Sequence, residues 1–315
     1  LELAEGDKEA LKHLVKAAVV LDKVNMQLDN PNNLPFKEYL EAEISKGNEQ
    51  AKLTKILFDA QKGVCSLDRE SNMIELIKGV SERPGKGVYP QDLEKDEFHA
   101  ILIKMLKDGK VDDVAKILNQ RSVVERVGNE LVATDYVDKF KDDFAYMASE
   151  LEKAAETSTN ADFNEFLILQ AKALRTADPM LDAYADKKWA TLQDTPLEFT
   201  ITRENYSDEL TETVVENPEL KALLDENGII PVAKDFLGGR VGIINKKGTD
   251  AILGVKNYLP LMAHNMPFKD DYIQNISPDK ESKQTMVDAD LVAVTGDVGE
   301  FRAGITLAEN LPNDD

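Results

Sequence analysis

The chain has 315 residues, with 59 acidic against 38 basic side chains, a formal net charge of -21 and one cysteine, Cys65. This composition rules out an internal disulfide and a thiolate zinc site, and a surface of that sign repels nucleic-acid backbones and anionic membranes. No run reaches the roughly 18 to 20 apolar residues of a membrane helix, so no membrane span is expected. The first residue is Leu1, which implies a removed leader or a numbering that starts inside a longer chain. The compartment stays open between cytoplasmic and, with a leader removed, periplasmic.

From about residue 7 to 180 the apolar residues recur at helical spacing. In DKEALKHLVKAAVVLDKV they form a stripe of Leu11, Leu14, Val15, Ala18, Val19 and Leu21. Residues 81–93, SERPGKGVYPQDL, hold two prolines and two glycines and are expected to form an extended connector. DEFHAILIKMLKDGKVDDVAKILNQ reads as two short helices broken at Asp108-Gly109. SVVERVGNELVAT, near 123–133, reads as a hairpin turning at Gly128-Asn129. A helix carrying Val137, Phe140, Phe144, Met147, Leu151 and Ala154 follows, capped by Thr134 or Asp135. Another starts at Asn160 or Asp162.

After about residue 195 the period changes. LEFTITREN alternates, GGRVGIINKKG is β-branched between glycines, and DLVAVTGDVGEFRAGITLAENLP offers two strand-like runs. Helical segments NPELKALLDENG and GTDAILGVKNYLPLMAHNM intervene. The expected fold is α+β: a helical domain over 1–190, then a mixed domain over 191–315 with a small sheet or barrel.

The three histidines, His13, His99 and His264, are far apart in sequence, so no two share a helical face as metal ligands do. They read as surface, core-edge or cap residues. Neither PGKGVYP nor FLGGRVGI has a phosphate-loop frame, and no Gly-x-Ser-x-Gly elbow exists. Cys65 reads as a buried thiol. Two polar clusters remain. TRENYSDEL sets Glu204, Tyr206 and Asp208 at alternate positions, one face of a strand, which is either a solvated edge or an acidic, aromatic binding face. NLPND aims Asn310 and Asn313 from a backbone stiffened by Pro312, either as an asparagine-stabilised turn or as acceptors for an ammonium group.

These clusters, with stretches elsewhere, resemble the dipeptidyl peptidase III family of zinc exopeptidases in its bacterial branch. Tyr89, Pro90, Asp92 and Phe98 match the family's FYP-D-T-EEF segment; TRENYSDEL resembles its ETYED-L strand, and GDVGEFRAGITLAENLPNDD its GDTRAG-Q--AFNLPNDE. Cys65 stands where the family has tryptophan, and Thr202 and Arg203 where it has apolar or small residues. The resemblance implies that Glu204, Tyr206, Asn310 and Asn313 hold the free amino end of a short peptide. It also implies that the zinc ligands belong to a His-Glu-x-x-Gly-His or His-Glu-x-x-His helix downstream of NLPND. This chain would then carry no catalytic or metal-binding residue and would be inert alone, with zinc expected only in the full-length parent. A non-catalytic peptide-binding or scaffold module of the same fold, and an unrelated helical interaction domain, stand as the alternatives.

Overall fold

The computed structural model describes residues 3–68, 70, 72–80, 83–176, 178–204, 208–256, 258–267 and 286–296. The first part is helical apart from two small hairpins: α1 (Glu5–Asp29), α2 (Asn33–Ser45), α3 (Glu49–Gln61), β1 (Cys65–Leu67), β2 (Met73–Glu75), α4 (Lys95–Lys107), α5 (Val111–Ile117), β3 (Ser122–Val127), β4 (Glu130–Asp135), α6 (Tyr136–Lys139), α7 (Lys141–Thr157), α8 (Ala161–Leu174) and α9 (Pro179–Trp189). The mixed part follows with β5 (Leu197–Glu204), α10 (Glu209–Thr213), α11 (Pro218–Glu226), β6 (Phe236–Ile244), α12 (Lys246–Lys256), α13 (Leu259–His264) and β7 (Ala289–Thr295). β5, β6 and β7 form a three-stranded sheet in that order, and among the described residues no barrel closes. The second strand-like run after Gly296 lies outside the described residues.

Local chemistry accounts for most boundaries. Asn160 is extended and its side chain accepts from Phe163 N–H at 2.9 Å, starting α8. Phe163, Phe166, Leu167, Ala171 and Leu174 then fall on one buried stripe, and each large side chain contributes about 1.5–3 kcal/mol by leaving water. Gly109, at φ 79, takes the left-handed conformation that ends α4, so α5 starts a new direction. β3 and β4 pair antiparallel around Gly128-Asn129.

Three local expectations change. Residues 83–93 are not extended: they coil in turns over 84–88 and 91–92, with Val88, Tyr89 and Leu93 buried. The close packing explains the glycines, since a Cβ on Gly87 would sit 2.1 Å from Gln27 O. Asp135 precedes α6 in an extended conformation but makes no side-chain capping bond, and the helix is interrupted at Phe140 before α7 begins. The aromatic series Tyr136, Phe140 and Phe144 is buried nonetheless, with successive ring centroids 5.8 and 6.1 Å apart. Of the α1 stripe, Leu14, Ala18 and Leu21 are buried, whereas Val19 is exposed on the far side.

The chain divides into two compact units. One comprises Leu1–Ala17, Tyr146–Thr200 and Arg240–Val294, and the other Ala18–Ala145, Ile201–Gly239 and Thr295–Asp315. In the first, Asp7 of α1 accepts from both the backbone N–H and the hydroxyl of Thr159 at 2.8 Å, and α8 packs on α9. In the second, Met26, Leu40, Phe58, Val64 and Cys65 form a core cluster beneath Leu34 and Phe36. Among the described residues no helix is long and apolar enough to cross a membrane.

Candidate functional site

Glu204 is the last residue of β5. Tyr206, Asn310 and Asn313 lie outside the described residues. Asp208 does not share a strand face with Glu204: the strand has ended, and Asp208 is the buried N-cap of α10. Its Oδ1 accepts from Thr211 N–H at 3.2 Å and its Oδ2 from the Thr211 hydroxyl, which leaves that oxygen to accept from Tyr89 OH at 2.6 Å. Burial raises the Asp208 carboxyl above its ordinary range against these bonds, and burial with the nearby Asp208 charge pushes the Tyr89 phenol well up.

Beside Asp208 lies Lys234, with no exposed surface. Its ammonium donates to Ile117 O at 2.6 Å, Asn119 O at 2.7 Å and Ser122 Oγ at 2.8 Å, one acceptor for each N–H, and stands 5.2 Å over the Tyr89 ring. Its own backbone N–H reaches Asp208 Oδ2 at 3.4 Å. Burial pushes Lys234 down to about 7, while Asp208, Asp135 and Asp235 pull it back up. The next residue is tied as well: Asp235 O accepts from Tyr136 OH at 2.9 Å and Asp235 Oδ2 from Arg121 Nε at 3.0 Å. The chain just after the TRENY cluster is therefore anchored by a buried polar network.

A second anchor holds the end of β7. Gly296 donates its N–H to Asp22 Oδ1 at 2.8 Å and accepts at its C=O from Asn25 Nδ2, while Asn25 Oδ1 accepts from Leu237 N–H at 3.0 Å. Lys62 holds the same Asp22 carboxylate at 3.0 Å. Gly296 has φ 103, and a Cβ there would lie 2.4 Å from Gly238 Cα, so only glycine fits.

The sheet relates the two anchored ends. Pro196, before β5, accepts from Ile244 N–H at 3.0 Å, and Asp288, before β7, accepts from Asn245 N–H at 2.8 Å, so both strands start beside the end of β6. Gly296 packs on Gly238, near the start of β6. β5 and β7 thus both run opposite to β6 and finish at its Phe236 end, two strand spacings or about 10 Å apart.

The histidines have other work. His13 Nδ1 bonds Glu150 Oε2 at 2.6 Å, and His99 Nε2 bonds Thr213 Oγ1 at 3.0 Å, with burial lowering the His99 pKa. His264 sits in the last turn of α13. Cys65 is buried, with Sγ 2.6 Å from Val80 O. Among the described residues no group of three or more His, Cys, Asp or Glu is placed to hold a metal ion, so the described side chains do not fit a zinc site.

Sequence reasoning missed both anchors, though each left a signal. Lys234 sits inside the apolar run IIPVAKDFLGG, and Asn25 continues the stripe of Ala18, Leu21 and Leu28 on α1. A polar residue on an apolar face calls for a buried partner.

No family model and no curated protein sequence matches the chain. Solved structures do. The structure of DPP III from Caldithrix abyssi superposes with a TM-score of 0.75 at 25% identity, covering 99% of this chain and 52% of that one. The structure of dipeptidyl-peptidase III from Corallococcus sp. strain EGB gives 0.69 at 20% identity, with the same two coverages. The chain thus spans about half the length of these structures and has a peptidase-related fold, that of a portion of a bacterial dipeptidyl peptidase III, consistent with the amino-terminal portion.

Proposed function

We propose that this chain is the amino-terminal portion of a zinc-dependent dipeptidyl peptidase-like metallopeptidase and binds the free amino end of a peptide. The observation that carries this reading is the similarity to two dipeptidyl peptidase III structures over 99% of the chain. The common end reached by β5 and β7, the strands leading into the TRENY and NLPND clusters, is in keeping with it.

In this reading the Glu204 carboxylate and the side-chain oxygens of Asn310 and Asn313 accept the three N–H bonds of a peptide ammonium, with Tyr206 beside them. An ammonium held at a fixed point selects which peptide bond reaches the reactive centre, and an internal segment has no charge to satisfy the anchor. Zinc, held by another part of the full-length protein, would polarise the scissile carbonyl and activate water. His13 and His99 are committed to Glu150 and Thr213, and the contribution of this chain in this reading is binding and alignment.

The test takes the isolated chain with added zinc and a dipeptidyl arylamide. No turnover above blank is expected, and sustained hydrolysis overturns the division of labour. Calorimetry with a tetrapeptide and its amino-acetylated twin tests the other half of the reading. The free peptide should bind, the acetylated one at least about tenfold more weakly, and Glu204→Gln or Asn310→Ala should erase the difference. Equal affinity for both peptides refutes an amine-holding role.

A further inference from the structure

Among the described residues one edge of β3 has no full strand partner, and residues 123–126 line a cavity of about 520 Å³. The two-residue turn pairs Val127 with Glu130, so residues 127, 125 and 123 exchange hydrogen bonds with β4 while the peptide groups of Ser122, Val124 and Arg126 point the other way. Val124 N–H agrees, donating to Val88 O at 2.8 Å. That ladder stops after one bond for a reason written in the chain. An antiparallel continuation needs the Val88 N–H, which is spent on Gly85 O at 3.2 Å. A parallel continuation needs an N–H at residue 90, and Pro90 has none. Among the described residues, Val124 C=O and Arg126 N–H therefore have no protein partner. This is the donor and acceptor pair that one residue of an added strand satisfies.

The surrounding charge narrows the occupant. Lys139 is paired with Glu125 at 2.8 Å and Arg126 with Glu97 at 2.7 Å. Glu38, exposed on the α2 wall of the cavity, has no cation among the described residues. A lone carboxylate on a chain of net charge -21 favours a cationic visitor. The volume lies within the roughly 300–1,000 Å³ of ligand pockets.

We propose that the free edge of β3 takes up a short extended peptide bearing a basic side chain, one residue of which accepts from Arg126 N–H and donates to Val124 C=O while the basic group pairs with Glu38. This site needs no free amino terminus and does not rest on the peptidase reading.

The probe is a six-residue peptide of alternating valine and threonine with one central lysine, acetylated and amidated so that an amine-holding site has nothing to grip. It is titrated into the whole chain by calorimetry and amide NMR. Saturable binding is expected, with the Arg126 amide shifted and its hydrogen exchange slowed. Methylating the backbone nitrogen of the central residue should weaken binding about tenfold. Glu38→Gln, an exposed change that leaves the fold intact, should abolish the preference for lysine over glutamine in the peptide. Absence of saturable binding, an unmoved Arg126 amide, or equal binding of the methylated peptide overturns strand addition. An unchanged lysine preference in Glu38→Gln overturns the assignment of the basic group.

Discussion

Replacing Lys234 by methionine keeps the length of the side chain and removes its charge. The variant strands Ile117 O, Asn119 O and Ser122 Oγ, which now receive hydrogen bonds at 2.6, 2.7 and 2.8 Å from an ammonium closed to solvent, the bonds to Ile117 and Ser122 being buried. At about 1 kcal/mol or more for each of the two buried acceptors left unmade, the loss is on the order of 2–3 kcal/mol, and Asp208 loses its neighbouring cation as well. Set against a typical stability of roughly 5–15 kcal/mol, this is a large fraction. Urea unfolding followed by circular dichroism should show a lower midpoint with an unchanged slope. Ser122→Ala, which removes one acceptor and leaves the ammonium two, should cost only about 1 kcal/mol. Because Asp208 fixes the chain shortly after Glu204, peptide affinity measured far below the unfolding midpoint should also fall in Lys234→Met. A stability within about 0.5 kcal/mol of the parent, the range of an ordinary surface change, would show that the network carries no net stability and would refute this reasoning.

Two further expectations concern the sheet. Glu198, which accepts from Trp189 Nε1 at 2.7 Å, has its carboxyl raised by burial to about 7 from an ordinary 4.5. The folded chain therefore holds a proton there between pH 4.5 and 7 that the unfolded chain has released, so the contribution of Glu198 to stability is full below about 4.5 and is lost as pH rises to 7, by about 3 kcal/mol. Glu198→Gln keeps an acceptor for Trp189 and should flatten this dependence in urea midpoints read from the fluorescence of the single tryptophan; an unchanged slope would assign the effect elsewhere. At Gly296 an added methyl would meet Gly238 Cα at 2.4 Å and Leu237 O at 2.6 Å, both backbone, so Gly296→Ala should cost about 2–4 kcal/mol in thermal unfolding. Gly47, also left-handed at φ 85 but with nothing within 4 Å of a Cβ, is the control at about 1 kcal/mol, and equal losses would deny the close approach.

Periodicity made the helical half legible because burial follows a 3.6-residue repeat. Phe140, Phe144, Met147, Leu151 and Ala154 are all buried, as their spacing requires. Alternation located β5, and glycine-bounded branching located β6. What failed depended on direction in space. Prolines and glycines at 81–93 report that the chain departs from regular structure, but they do not say whether it extends or coils, and here the coil is dictated by the backbone of Gln27 and Leu28 lying against Gly87. Asp208 was misplaced because alternate spacing was carried past the end of β5. The competing signal, an aspartate directly before ELTET, is an ordinary helix start. Lysine in a sequence reads as solvent-facing, so the burial of Lys234 needed the three acceptors that only the fold brings together.

The two anchors share a physical logic. Desolvation cancels much of what the hydrogen bonds of a buried ammonium or amide return, and removing the polar group alone leaves its partners unmet. What the polar groups add is register. Asn25 binds Leu237 N–H with its oxygen and Gly296 C=O with its nitrogen, so one side chain ties the start of β6 to the residue after β7. Slippage of either strand by one residue would break a bond and turn every side chain on that strand to the opposite face. Lys234 acts similarly by joining the end of α5, the start of β3 and, through its backbone, the cap of α10. A leucine at either position would fill the space and hold none of these elements in phase. Asp208 and Gly296 are thus held at points defined by hydrogen-bond geometry.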